Sequence, residues 1–231
     1  MKRKMMFETE QQNQDAPYVT IGGVKWATTS IITDINTGNN YFAEKPETLG
    51  SVFQWGRKYG APSTVTTAIS GQLTIIQGES LINASKLIGN SYSSSPSSYH
   101  YAWCNETGTS AYTRLWMPGK GQYDPCPADW RVPTRDELNV LFNAAYKSKG
   151  YVNGVYGYFF GNNSQNTMFV PFQPMLGWGL GTLDSSFVAL QSCTLGTSNT
   201  HYQLDFMKNT DEIYLRTLFQ STSGIIRAVK I

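Results

Sequence analysis

Two histidines, three cysteines and a thin scatter of carboxylates are all that this sequence offers for acid–base, nucleophilic or metal chemistry. His201 and Asp205 stand four residues apart, a spacing that brings side chains together on a helix, yet the residues around them alternate as a strand does. There is no Gly-x-Ser-x-Gly elbow to expose a nucleophilic serine. The glycines of Gly177-x-Gly179-x-Gly181 lack the spacing of a dinucleotide fingerprint, and no helix pattern opens after them. Gly119-Lys120-Gly121 is a turn, without the length or the following Ser/Thr of a phosphate loop. Cys104, Cys126 and Cys193 make no Cys-x-x-Cys and no His/Cys ladder for zinc, and no calcium-loop spacing occurs. Cys104 and Cys126 either close a loop as a disulfide or are free buried thiols acting as small hydrophobes. The expectation from these residues is no catalytic group, no metal and no cofactor.

Binding chemistry is better represented. In His201-Tyr202-Gln203-Leu204-Asp205-Phe206 the apolar residues fall on one side of a strand and His201, Gln203 and Asp205 on the other. In Ile213-Tyr214-Leu215-Arg216 the odd positions point inward and Tyr214 and Arg216 outward. Gln191, His201, Gln203, Asp205, Tyr214 and Arg216 would then line adjacent strands, with Trp178, Asp184 and Phe187 in the segment before them. Rigid rings and adaptable hydrogen-bonding groups of this kind make recognition surfaces. The same pattern also describes the wet face of a half-buried sheet. Asp184, Asp205, Asp211 and Glu212 are read as a solvated edge, not a metal cluster.

The elements that must carry this face are mostly strands. Tyr18 to Thr28 forms a hairpin about Gly22-Gly23, and Tyr151 to Gly161 a second about Asn153-Gly154. Val52 to Gly60 is an aromatic block, a short strand or a short helix. Thr167 to Phe172 and Gly224 to Ile231 read as strands. Residues 62–112 form a loop-rich insertion around Ser93–Ser98, with a short apolar patch at Leu81 to Ile88 and Trp103 and Trp116 to tie it down. Residues 1–16 read as a flexible tail; its basic start has no apolar core of signal-peptide length. The remainder, 17–231, is one domain.

Composition supports recognition without charge. Apolar residues are 40%, aromatics 13% and charged residues only 15% of 231 residues, with net charge +2. That balance argues against a nucleic-acid partner or membrane insertion.

The strongest local signal is Pro125 to Leu138. Pro125 and Pro127 stiffen the chain around Cys126. Trp130 and Val132 share a face, Pro133 blocks the α region before it, and Thr134 with Glu137 forms a capping box. Leu138, Leu141, Phe142 and Ala145 then recur at helical spacing, predicting a helix from about Thr134 to Lys147, with Lys147 and Lys149 at its end and Gly150 as the stop.

The string Cys126-Pro127-x-x-Trp130-Arg131-Val132-Pro133-Thr134-x-x-Glu137 resembles the hallmark of the Fibrobacter succinogenes major paralogous domain family. Thr20 to Thr28, Val52 to Gly56, His201 to Phe206 and Gly224 to Val229 resemble further segments of that family, in its order. The resemblance implies an α+β, C-type lectin-like fold: antiparallel sheets, one or two helices and the elaborated insertion. It also implies a non-enzymatic adhesin or receptor-binding domain at a bacterial cell surface, a pilus tip or a phage tail. In some such proteins the C-terminal strands are diversified by a retroelement, and the face named above falls there. The expected partner is a protein or glycan on a target cell. Ala228 stands where the family carries Cys, and the sugar-binding tripeptides of calcium-dependent lectins are missing. The rival readings are a formylglycine-generating-enzyme-like cysteine enzyme, and a structural pilus or tail subunit.

Overall fold

The computed structural model describes residues 15–65, 68–70, 87–89, 115–176, 183–196, 200–220 and 222–231. The chain begins with the hairpin β1 (Tyr18–Ile21) and β2 (Val24–Ala27), turning at Gly22 and Gly23, whose φ values of 55° and 84° suit glycine. A second small pair follows, β3 (Ile31–Thr33) and β4 (Asn40–Phe42). The aromatic block contributes the short strand β5 (Phe53–Gln54) and then a turn. β6 (Ala68–Ser70) and β7 (Leu87–Gly89) pair in parallel. The C-terminal end of the Leu81–Ile88 patch is therefore strand. The rest of that patch, Ser93–Ser98 and Trp103 lie outside the described residues.

β8 (Trp130–Arg131) precedes helix α1 (Arg135–Phe142). The capping box is formed on both sides: Glu137 N–H donates to Thr134 Oγ1 at 3.2 Å, and Thr134 N–H donates to Glu137 Oε2 at 2.8 Å. The helix is shorter than its spacing predicts. Asn143 N–H turns back to the Asn139 and Leu141 carbonyls, and the Asn143 side-chain amide also donates to Asn139 O. Lys147 and Lys149 then lie not at a helix end but in β9 (Tyr146–Val152), which pairs with β10 (Val155–Asn163). The Asn153-Gly154 turn, with φ of 48° and 83°, fixes that register and overrides the helical spacing upstream. β11 (Asn166–Pro171) completes a three-stranded meander.

β12 (Met175–Leu176) and β13 (Leu183–Asp184) form a two-stranded pair. β14 (Phe187–Leu195), β15 (Thr200–Met207) and β16 (Ile213–Phe219) form the second three-stranded antiparallel sheet, with β16 at its edge. The closing segment is not one strand. β17 (Ser223–Gly224) pairs with β5, and β18 (Val229–Lys230) inserts between β2 and β8, with extended chain between them.

The expected α+β, C-type lectin-like architecture with one or two helices is corrected by this arrangement. Among the described residues strand accounts for 47% and helix for 6%, with one short helix and several small, mostly antiparallel sheets. The physical reason is the early stop at Asn143, which gives the following residues to β9.

One apolar cluster joins the two three-stranded sheets and α1, through Tyr158, Phe160, Leu204, Phe206, Leu138 and Leu141. A second gathers Phe42, Phe53, Trp55, Trp116, Trp130 and Val132. Trp130 is fully buried, and its indole N–H donates to Asp15 Oδ1 at 2.8 Å, so the end of the expected tail is tied to the domain.

The structure also explains the rest of the Cys-Pro-x-x-Trp-Arg-x-Pro-Thr string. Lys120 Nζ donates to the carbonyls of Cys126 (2.7 Å), Pro127 (2.9 Å) and Trp130 (2.5 Å). Asp124 accepts from Cys126 N–H at 2.8 Å and Val132 N–H at 3.0 Å. Arg131 closes a two-point pair on Glu137, at 2.7 and 2.6 Å. Glu137 therefore caps the helix and clamps it to β8.

Candidate functional site

The site is built on β14, β15 and β16. Their register places Gln191, Gln203 and Arg216 in one row across the sheet, and Ala189, Asp205 and Tyr214 in the next. His201 lies one row further on, opposite Leu218, and Phe187 lies beyond Ala189 in the other direction. Residues directly opposite one another in an antiparallel ladder point to the same side. The sequence alternation therefore puts these six polar residues on one face, and the ladder assembles them. Tyr202, Leu204 and Phe206 occupy the other face, where Leu204 and Phe206 enter the core and the Arg135 guanidinium from α1 sits 5.0 Å from the Tyr202 ring centre.

Exposure departs from the expectation. Gln191, His201, Gln203 and Asp205 are all fully buried. The β5–β17 ladder and the residues flanking it lie against Gln191, His201 and Gln203. A Cβ at Gly224 would stand 2.8 Å from the Ala189 carbonyl oxygen and 2.9 Å from the Gln191 side chain, so only glycine allows this approach. The Gln191 amide donates to Phe53 O at 3.3 Å, and the Trp55 ring lies stacked on His201 at 6.4 Å. Trp55 was visible in the aromatic block, but nothing local to it indicates that it roofs β15. Thr222 was not foreseen at all; its hydroxyl lies 3.5 Å from Gln203 Oε1.

Under this cover the side chains form a polar relay. His201 Nε2 faces Gln203 Oε1 at 3.1 Å, so that nitrogen carries the proton and donates. Gln203 Nε2 donates to Asp205 Oδ1 at 2.5 Å, and Arg216 Nε donates to Asp205 Oδ2 at 2.5 Å. Two buried atoms of this region, His201 Nδ1 and Gln191 Oε1, have no hydrogen-bond partner among the described residues. Burial pushes the His201 imidazole down to about 3, so it is neutral at ordinary pH. Burial also raises the Asp205 carboxyl, and the Arg216 guanidinium opposes that rise.

The relay reaches solvent at β16. The Arg216 side chain is 42% exposed, and its guanidinium lies 5.3 Å from the Tyr214 ring centre. Tyr214 is itself 37% exposed. Among the described residues the hydrogen bond of Arg216 is made by Nε, to Asp205. The outer residues thus present one aromatic ring and one guanidinium, fixed from below by a buried carboxylate.

The remaining expected positions are placed apart from this pair. Asp184 is half-exposed in β13 and accepts the Ser186 N–H at 2.7 Å. Phe187 shares the face but is buried in the core. Trp178 lies outside the described residues. Cys126 and Cys193 are free and buried. Burial pushes the Cys126 thiol well up and the Cys193 thiol to about 12, the opposite of an activated nucleophile. Cys104 lies outside the described residues. Among the described residues no group of three or more His, Cys, Asp or Glu side chains could hold a metal ion. No protein-family model, curated protein or solved structure matches the chain.

Proposed function

We propose that this protein is a non-enzymatic ligand-binding domain, an adhesin or receptor-binding module displayed at a cell surface or on a virion, that engages its target through Tyr214 and Arg216. The observation that carries this reading is the seating of Arg216 on a buried carboxylate. A flexible surface arginine loses side-chain entropy on binding; one already held at Nε loses less and offers its free edge to an acidic or amide group of the partner. Tyr214 beside it supplies rigid apolar area. The segments resembling the Fibrobacter succinogenes major paralogous domain support the same class of function. Buried, upward-shifted Cys126 and Cys193 favour this reading over a cysteine enzyme.

A second reading draws on β16 as a sheet edge. An edge strand can pair with a neighbouring chain, which suits a pilus or tail subunit. The experiment is a screen of the fluorescently labelled chain against a glycan array and a panel of bacterial and animal cell surfaces. The expected outcome is saturable binding that Tyr214→Ala reduces by roughly tenfold, about 1.4 kcal/mol. Binding insensitive to Tyr214→Ala, or no binding to any surface in the panel, contradicts the proposal.

A further inference from the structure

A second concave region lies where the end of α1, the β9–β10 hairpin and the turn into β16 meet. It is a pocket of about 610 Å³ lined by Phe142 at the end of α1, Lys147, Lys149 and Tyr158 of β9–β10, Asp211 in the turn before β16 and Ile213 at its start. That volume is within the range of small-ligand sites.

Its chemistry follows from the β9–β10 register. Lys147, Lys149 and Tyr151 alternate onto one face of β9, opposite Phe160, Tyr158 and Tyr156. Two ammonium groups converge at the pocket. Lys147 Nζ is held by the Phe142 carbonyl at 2.7 Å. Lys149 Nζ is held by the Thr210 carbonyl and by Asp211 at 3.1 Å. Asp211 is the acidic residue of the lining and its side chain is 98% exposed, so an incoming anion can take its place at little cost.

One strand repeat further along, the same face becomes an aromatic shelf. The Tyr151 and Tyr156 rings are 4.9 Å apart, and Tyr156 stacks on Phe172 at 5.4 Å and 24°. Phe172 in turn meets Phe206 in the core at 5.7 Å. The stack is anchored at its inner end, while Tyr151 at the outer end is 70% exposed. An anchored ring series that runs out to a bare tyrosine has no structural need for its last member.

We propose that pocket and shelf together form a second ligand site, for an acidic saccharide: a pyranose stacked on Tyr151 and Tyr156, with its carboxylate or sulfate seated between Lys147 and Lys149. The Tyr151 ring, 70% exposed and tilted 40° to Tyr156, accepts the C–H face of a sugar ring. The ammonium groups, Asp211 and the Tyr158 hydroxyl offer the mixed donors and acceptors that ring hydroxyls require. Lysines accept a carboxylate or a sulfate as point charges, without demanding one fork geometry. An acidic peptide would use the charges and leave Tyr151 idle.

The test is calorimetric titration of the full chain with tetragalacturonate, a chondroitin sulfate tetrasaccharide, neutral cellotetraose and hexaglutamate, at low and at high salt. The proposal expects at least one acidic oligosaccharide to bind roughly tenfold tighter than cellotetraose and hexaglutamate, and to weaken as salt rises. Tyr151→Ala and Lys147→Gln should each weaken it by about fivefold to tenfold. Tyr151→Ala removes only an exposed ring, so its unfolding temperature should match that of the native chain. Failure of both acidic oligosaccharides to bind overturns the proposal. So does equal binding of hexaglutamate, or indifference to Tyr151→Ala. Loss of saccharide binding in Tyr214→Ala with retention in Lys147→Gln would move the sugar to β16, overturning this inference while supporting the first site.

Discussion

Arg216 Nε stands 2.5 Å from Asp205 Oδ2, joining an exposed guanidinium to a carboxylate with no solvent contact of its own. The pair determines both what the β16 face can present and what it costs to disturb it. Burial raises the Asp205 carboxyl and Arg216 holds it back. An aspartate raised in the folded state binds its proton more readily there than in the unfolded chain. Stability from this group is therefore greatest at low pH and is lost as pH rises through the folded value. Removing Arg216 raises the carboxyl further. Arg216→Ala should thus destabilise the protein by about 2–3 kcal/mol at pH 7, a figure already reduced for the exposure of the arginine, and by less at pH 5. Denaturant unfolding at the two pH values checks this, and Asp205→Asn in the same chain should recover most of the loss.

His201 gives the opposite slope. Its folded value of about 3 lies below the ordinary 6.5, so protons bind preferentially to the unfolded chain in between. The stability that His201 contributes is full above pH 6.5 and is lost as pH falls toward 3. The loss should be on the order of 3–5 kcal/mol when complete. A chain carrying His201→Gln should show a flatter acid limb than the native chain in the same window. Parallel acid limbs would contradict the placement of His201 as a neutral buried donor.

Glu137 and Asp136 are neighbours with unequal roles. Glu137 caps α1 and pairs at two points with Arg131, whereas Asp136 is 89% exposed on its side chain. Glu137→Ala should cost about 2–3 kcal/mol and Asp136→Ala less than about 0.5. Thermal unfolding of the two variants distinguishes them.

The thiols provide a probe of the second core. Cys126 and Cys193 are both buried and shifted upward. In a Cys104→Ser chain, a thiol reagent such as Ellman's should label neither under native conditions and both after unfolding. Rapid native labelling of either would restore the case for a reactive cysteine.

Much of this arrangement was legible in the sequence because it depends on local rules. The Gly22-Gly23 and Asn153-Gly154 turns, the Thr134–Glu137 box and the alternation along His201 to Phe206 are each set by residues close in the chain. What local rules could not supply was the partner above each face. Alternation shows that His201, Gln203 and Asp205 point the same way; it does not show that Trp55 closes over His201, or Gly224 over Gln191, from distant parts of the chain. The helix beyond Phe142 failed for the same reason. Lys147 and Lys149 fit a helix end in isolation, but the hairpin turn downstream commits them to β9. Lys120, which stitches three carbonyls of the Cys126–Trp130 loop, looked like part of a bare Gly-Lys-Gly turn.

The central claim is that a target docks on Tyr214 and Arg216. Hydroxyl-radical footprinting of the native chain, free and bound to a captured surface, tests it without altering a residue. The account predicts that oxidation of Tyr214 falls several-fold on binding while Tyr18, exposed on β1, is oxidised as before. Unchanged oxidation of Tyr214 in the bound state, with protection elsewhere, would contradict it.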